Sequence, residues 1–319
     1  MKTFQIGFYK NRKIYFGISL AFLAIGLIFN IVFGTQMDIQ FTGGALIKYS
    51  YTGTIDQEKV QKIVEDTTQK AVSVSINTNV KSTQSEQSVN NVALSFSGTD
   101  ALTVENQQEV AAALAKEYPN AGFSVVESSS INPVMGRDFF MKCLISVLLA
   151  TILLIVYIAL RFKKIGGMSA GSMAIIALLH DVILVYFTFV IFRMPINDNF
   201  IAVVLTILGY SLNDTIIIYD RIRENRKLMG PKTDYSVLVD TSINQTLTRS
   251  VYTAGCTFVA ITIVYIVGVI YDLSSVQTFA LPMMVGIVSG CYSSICIAGP
   301  LYVMWQKHKA KKKQVASAR

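Results

Sequence analysis

Six apolar runs divide the chain, over residues 14–33, 139–160, 167–192, 200–219, 251–270 and 280–305. Each approaches or exceeds the roughly 20 residues that an α-helix needs to cross a bilayer. Between the first and second runs the pattern changes to short, polar-interrupted segments. Residues 45–51 read as a strand. Val60, Ile63 and Val64 recur at helical spacing within residues 56–68, with Thr54 or Asp56 available as cap. Residues 72–80 alternate apolar and polar, 81–88 form a polar turn, and 89–96 read as a further strand. A helix follows over residues 100–118, with Leu102, Val110, Ala113 and Leu114 on its inner face, and a strand over 123–126 closes the region. The order β-α-β-β-α-β is that of the ferredoxin-like split βαβ fold.

The pattern thus predicts a polytopic α-helical membrane protein with six transmembrane helices and an α+β ferredoxin-like domain between helices one and two. Its parts are an N-terminus (1–13), helix one (14–33), the ferredoxin-like domain (34–135), a five-helix transmembrane domain (136–305) and a basic tail (306–319). Residues 220–250 read as a charged loop with a short amphipathic helix around 235–243. The first run is too long for the apolar part of a signal peptide, and no small-residue cleavage pattern follows it, so it reads as an uncleaved span.

Composition agrees, with 52% hydrophobic and 15% charged residues. The net charge of +8 would suit nucleic acid, but its placement argues otherwise. Lysine and arginine gather in the N-terminus, in residues 161–164, in residues 220–250 and in the tail, and are nearly absent from residues 193–199 and 271–279. The positive-inside rule then places both termini in the cytoplasm and the ferredoxin-like domain outside. All four cysteines (Cys143, Cys256, Cys291, Cys296) lie in apolar segments, which offers neither a disulfide framework nor metal-ligand spacing.

The chemistry-bearing residues sit inside the apolar runs. Asn213 and Asp214 lie two thirds of the way along the fourth, and a carboxylate at such depth costs about 2.5 to 3.5 kcal/mol on insertion scales, which makes it a functional-site candidate by default. Asp214 is placed about 9 Å from the charged end of its helix at about 1.5 Å rise per residue. If the next helix starts near Asn244, Arg249 comes to a similar depth, with Asn213, Thr215 and Ser211 available to hydrogen-bond around the carboxylate. A proton-carrying Asp214 beside Arg249 and a static ion pair that locks helices are both compatible with this placement. His180 and Asp181 lie near the middle of the third run. Being adjacent they point about 100° apart, so at most one faces Asp214 squarely, and either relay or structural bonding fits them. Gly286, Gly290, Ser293 and Ser294 in the last run read as close-packing positions. Neither a phosphate-binding glycine loop nor a nucleophile–base set is present, so the pattern points to no enzyme and to no cofactor other than a proton gradient.

Several of these stretches resemble the SecF family of the bacterial SecDF protein-export complex. They are Gly209-Tyr210-Ser211-Leu212-Asn213-Asp214-Thr215 running into Tyr219-Asp220-Arg221-Ile222-Arg223-Glu224-Asn225, then Ile243-Asn244-Gln245-Thr246-Leu247-Thr248-Arg249, His180-Asp181-Val182 and Phe41-Thr42-Gly43-Gly44. The resemblance covers nearly the whole chain. Two positions depart from it: Gln40 stands where the family has Asp, although Asp38 is nearby, and Asn132-Pro133 stands for its Gly-Pro. The resemblance implies half of an RND-type transporter that pairs with SecD. The pair would use the proton-motive force to draw preproteins outward after SecYEG and SecA have started them, in the bacterial inner membrane, with YajC and YidC as further partners. It also implies that the family's essential membrane Asp and Arg map onto Asp214 and Arg249. The competing readings are an RND-type exporter of small molecules or lipids and a purely structural translocase subunit.

Overall fold

The computed structural model describes residues 6–70, 72–81, 88–97, 104–131, 133–230, 232–271 and 273–317. The turn expected over 81–88 and the start of the helix expected from Asp100, with Leu102, lie mostly outside them. Helix α1 spans Arg12–Phe33, and after it come the short helix α2 (Ile39–Thr42), β1 (Gly44–Tyr51), α3 (Gln57–Thr68), β2 (Val72–Lys81), β3 (Ser88–Ser97), α4 (Val104–Glu117) and β4 (Ser124–Ile131). Then come α5 (Pro133–Arg161), α6 (Gly167–Ile191), α7 (Asp198–Met229), α8 (Tyr235–Ile270), α9 (Ser274–Ser293), a π-helical turn at Ser294–Ala298 and α10 (Gly299–Ser317). Among the described residues, α1, α5, α6, α7, α8 and the α9–α10 rod make six helices long and apolar enough to cross a membrane.

Helices α6, α7 and α9 are more than half buried and form the centre, whereas α1, α5 and α8 keep most of their surface bare. The bare faces are apolar, with Leu153, Val259 and Ile270 among the exposed side chains, as lipid-facing helices require. The last rod is not uniform. Pro300 lacks an N–H, and its ring crowds the carbonyl four residues earlier, that of Cys296, which lies within the π turn.

The sheet order β2-β3-β1-β4, antiparallel throughout, is ferredoxin-like. Ile47, Tyr49 and Leu94 from the strands bury against Val60 and Val64 of α3 and Val110 and Leu114 of α4. β4 runs to Ile131, past the 123–126 expected from sequence. Its second half, Glu127 to Ser130, shows no apolar alternation because this edge strand is held by backbone pairing to β1. Polar cross-strand contacts also join the two, Lys48 to Glu127 at 2.6 Å and Ser50 Oγ to Ser124 Oγ at 2.6 Å.

Two contacts join the sheet to the helices. The linker after α1 pairs with the α6–α7 connection, Asp38 N–H donating to the Ile196 carbonyl at 3.0 Å and Ile196 N–H to that of Gln36 at 2.8 Å. Asp38 then caps α2 through Gln40 N–H at 3.0 Å, and Phe41 is buried against the rings of Phe139 and Phe140 on α5. Gly43 and Gly44 turn the chain into β1 with φ of 74° and 140°.

On the side of the two termini the expected 220–250 loop is instead mostly helix. α7 continues to Met229, with Ile222 and Asn225 buried and the i,i+3 pairs Arg221–Glu224 and Arg223–Asp220 on its outer face, both at 2.6 Å. Charge on one face does not stop a helix when the other face packs. The break comes at Gly230, with φ of 84°. α8 restarts at Asp234, whose carboxyl is held down to about 2 by the Ser236 side chain and N–H, with Lys307 beside it at 3.2 Å. The amphipathic stretch expected as a separate short helix is therefore the first turns of α8. The N-terminal segment packs on those turns, Ile6 N–H donating to Asn244 Oδ1 at 3.0 Å and Tyr9 N–H to Asp240 Oδ1 at 2.9 Å.

A Cβ at Gly44 would stand 2.0 Å from the Phe96 carbonyl oxygen. Gly44→Ala is therefore expected to cost more than the strain of an unfavourable φ alone, about 1–3 kcal/mol, and to expose the sheet to protease. Gly122→Ala, at φ of 58° with open space around the added methyl, is expected to cost only about 1–2 kcal/mol. Equal protease resistance of the two variants would contradict the placement of Gly44.

Candidate functional site

The polar residues of the three central helices meet at Asp181. Helix α6 buries it completely, and four groups surround its carboxylate. Ser211 of α7 and Ser293 of α9 each donate to Oδ2 at 2.7 Å, and Ser289 of α9 donates to Oδ1 at 2.5 Å. His180 Nδ1 lies 3.2 Å from Oδ1. Ser289 and Ser293 are four residues apart and so share one helix face. Helix α9 can bring both hydroxyls in because Gly290 lies against Ser211, where an added Cβ would come within 2.9 Å of the serine Cβ, and Gly286 lies equally close to Ile207. A second pair of hydroxyls extends the cluster. Thr215 Oγ1 and Ser294 Oγ are 2.8 Å apart, and Ser294 Oγ donates to the Ser211 carbonyl at 3.1 Å.

Asp214 lies three residues beyond Ser211, about 4.5 Å along α7 at about 1.5 Å per residue. Its side chain is almost fully buried, yet Oδ2 has no hydrogen-bond partner. Two of the other buried oxygens in that condition lie beside it, Ser250 Oγ on α8 and Tyr210 Oη one turn back on α7. Buried polar atoms are nearly always bonded, so three neighbouring exceptions set this level of α7 apart from the fully bonded Asp181.

The neighbours expected around Asp214 are placed differently. Ser211 is committed to Asp181 and Thr215 to Ser294. Asn213 is exposed on the outer face of α7. Arg249 follows the expected depth on α8, is exposed, and among the described residues makes no ion pair within 4 Å, but its charge acts on Asp214. Adjacent residues on a helix point about 100° apart, so Ser250 faces Asp214 more squarely than Arg249 does. His180 is buried and bonded to Asp181, so both members of that pair belong to one cluster. Ser289, Ser250 and Tyr210 escaped the sequence reading, although the four-residue spacings Ser289–Ser293 and Tyr210–Asp214 were there to be read.

The family described as "Protein export membrane protein SecD/SecF, C-terminal" matches residues 110–308. The chain belongs to the SecD/SecF family. A protein translocase subunit SecF from Sebaldella termitidis is 32% identical over 96% of this chain and 93% of its own length. A protein translocase subunit SecDF from Bacillus subtilis is 31% identical over 96% of this chain but only 39% of its own. Among solved structures, the translocon-associated membrane protein SecDF from Thermus thermophilus superposes with a TM-score of 0.77 at 27% identity, over 95% of this chain and 39% of that one. SecDF in its super-membrane-facing form superposes with a TM-score of 0.67 at 28% identity, over 99% of this chain and 40% of that one. The chain is thus a multi-pass membrane protein of SecF type that corresponds to about two fifths of a SecDF chain.

The two carboxylates should respond differently to substitution. Ser293→Ala strips a donor from Asp181 and is expected to lower stability by about 1–3 kcal/mol. Asp214→Asn removes a buried charge with an unpartnered oxygen and is expected to unfold at or above the native temperature. Thermal unfolding of the two variants side by side in detergent checks this, and a Ser293→Ala protein as stable as the native one would contradict it.

Proposed function

We propose that this chain works as the SecF half of a protein translocase in the bacterial inner membrane. Together with a SecD-type partner it uses the proton-motive force to assist late steps of preprotein export. SecYEG and SecA, with YajC and YidC, are the assemblies it works beside. Family membership supports the export role, and the relatives that carry SecD and SecF in one chain support the SecD-type partner. The lysine and arginine distribution supports cytoplasmic termini. The observation that carries the proton-coupled reading is the buried, unpartnered Oδ2 of Asp214.

Asp214 is the proton carrier in this reading. Protonated, its neutral carboxyl sits among apolar helices at little cost. Deprotonated, it is an uncompensated charge that draws on Ser250 and on the Arg249 guanidinium, both at the same level of α8. Proton uptake and release therefore alternate the attraction between α7 and α8. Helix α7 begins at Asp198, two residues after the Ile196 that pairs with the linker to the sheet domain. A shift of α7 is passed to the outer domain through that pairing. Arg249 and Asn213 lie on a face that the SecD-type half covers, because an arginine left bare to lipid is as costly as a buried aspartate.

Export is measured in cells whose only copy carries Asp214→Asn, with membrane level and partner co-purification followed alongside. Export is expected to fall at least about tenfold while insertion and partner binding persist, a loss in the range typical of a proton-transferring group. Unchanged export overturns the mechanism, and loss of the protein from the membrane favours the purely structural subunit. Arg249→Lys is expected to retain part of the export activity and Arg249→Ala to retain almost none, because lysine keeps the charge but not the fork of donors. Equal activity of the two variants would remove Arg249 from the mechanism.

A further inference from the structure

The Asp214 reading makes no use of His180. Its ring is 93% buried by solvent accessibility (7% exposed), and its two nitrogens have opposite surroundings. Nδ1 faces Asp181 Oδ1 at 3.2 Å, whereas Nε2 has no partner at all. Three serine hydroxyls already point their hydrogens at the same carboxylate. An ionised carboxylate only accepts, so the nitrogen facing it carries the hydrogen. That fixes the tautomer, and the lone pair falls on Nε2.

A residue needed only to donate one hydrogen bond to Asp181 would not bring a second, unsatisfied nitrogen into the membrane interior. The Asp181–His180 arrangement is that of a carboxylate orienting an imidazole, in which the acid holds the ring by one nitrogen and balances the charge that forms when the other takes a proton. The serine cage keeps Asp181 in position for this, since Ser211, Ser289 and Ser293 anchor the carboxylate to α7 and α9 independently of the ring. The titratable groups on the elements packed around α6 include Asp181 itself, Tyr210, Asp214 and Tyr219 on α7, Tyr15 on α1, Cys143 and Tyr157 on α5, Cys291, Tyr292 and Cys296 on α9 and the π turn, and Tyr302 on α10. Tyr292, whose ring centroid is 6.4 Å from the imidazole, donates its own hydroxyl to the Tyr15 carbonyl at 2.6 Å and so leaves Nε2 unoccupied.

We propose that His180 Nε2 is a second proton-binding position in the membrane, separate from Asp214, with Asp181 as its positioning residue. The Nε2 lone pair takes up one proton, the ring becomes an imidazolium paired with the Asp181 carboxylate, and release of that proton restores the neutral Nδ1–H form. The two positions are stacked along α7, since Asp181 lies at the level of Ser211 and Asp214 one turn beyond. The inference draws its purpose from the proton-coupled reading of Asp214, but its test does not depend on that reading.

The chain contains only two histidines, and the other, His308, lies exposed in α10. The full-length protein is labelled with ring-15N histidine, reconstituted with its unlabelled partner in lipid bilayers and followed by NMR as a function of pH, with His308 as internal reference. His180 is expected to be the neutral Nδ1–H tautomer at the alkaline end of the range and to gain a proton at Nε2 toward its acid end. An Nε2–H tautomer, or a ring that stays neutral across that range, overturns the proposal. In export assays His180→Asn keeps a donor for Asp181 but removes the titrating nitrogen, and is expected to flatten the pH profile of proton-driven export at an unchanged membrane level. A native pH profile in that variant also overturns the proposal. If His180→Asn does not accumulate, the NMR titration of the unaltered protein decides. A titrating His180 together with normal export by Asp214→Asn would overturn the Asp214 mechanism alone, and a neutral His180 together with failed export would overturn only this inference.

Discussion

A carboxylate buried completely between helices is tolerated only when donors surround it, and Asp181 meets that condition by drawing on three elements at once. Ser211 comes from α7, Ser289 and Ser293 from α9, and His180 from its own helix. The requirement dictates the packing around it. Helix α9 must approach α7 closely enough for two hydroxyls to reach one carboxylate, which only glycine at 290 and 286 permits. The contact therefore sets how the central helices sit, and the apolar side chains around it fill the space that this leaves.

The same contact accounts for the state of Asp214. Ser211, three residues before it, shares its face of α7, and Asp181 has taken that donor. Thr215, the adjacent residue, is taken by Ser294. The helix thus carries two aspartate-facing levels one turn apart, one with every oxygen bonded and one with an oxygen left over. The first has the character of a fixed anchor. The second keeps a buried carboxylate oxygen free, and the Ser250 beside it belongs to α8, outside the anchored trio.

Helix α7 links these levels to both faces of the protein. It runs unbroken from Asp198 to Met229. At one end the residues just before it hold the linker to the sheet domain. At the other, Asn225 donates to Ser242 Oγ at 2.9 Å and to Gln245 Oε1 at 2.8 Å, which fastens it to the start of α8. A helix fixed to different partners along its length carries a local displacement as a rigid body, because close-packed interiors shift as units. The charged segment that reads as a loop in the sequence is part of this rod.

The sequence by itself determined the six spans, the ferredoxin-like order of the sheet domain and the presence of costly polar residues at depth. Those features rest on periodicity and on the transfer cost of single residues, which neighbours in the chain are enough to establish. It also carried the long motifs that placed the chain in its family. Only the tertiary structure decided which polar groups meet. Asp181 received Ser211, Ser289 and Ser293, Asp214 was left with Ser250, and Arg249 and Asn213 stayed exposed. A helix position fixes a direction within about 100°, but which partner occupies that direction depends on how distant segments pack. Here that packing follows from glycines on α9 and from a carboxylate on α6 that lies 108 residues from the serine bonded to its Oδ1.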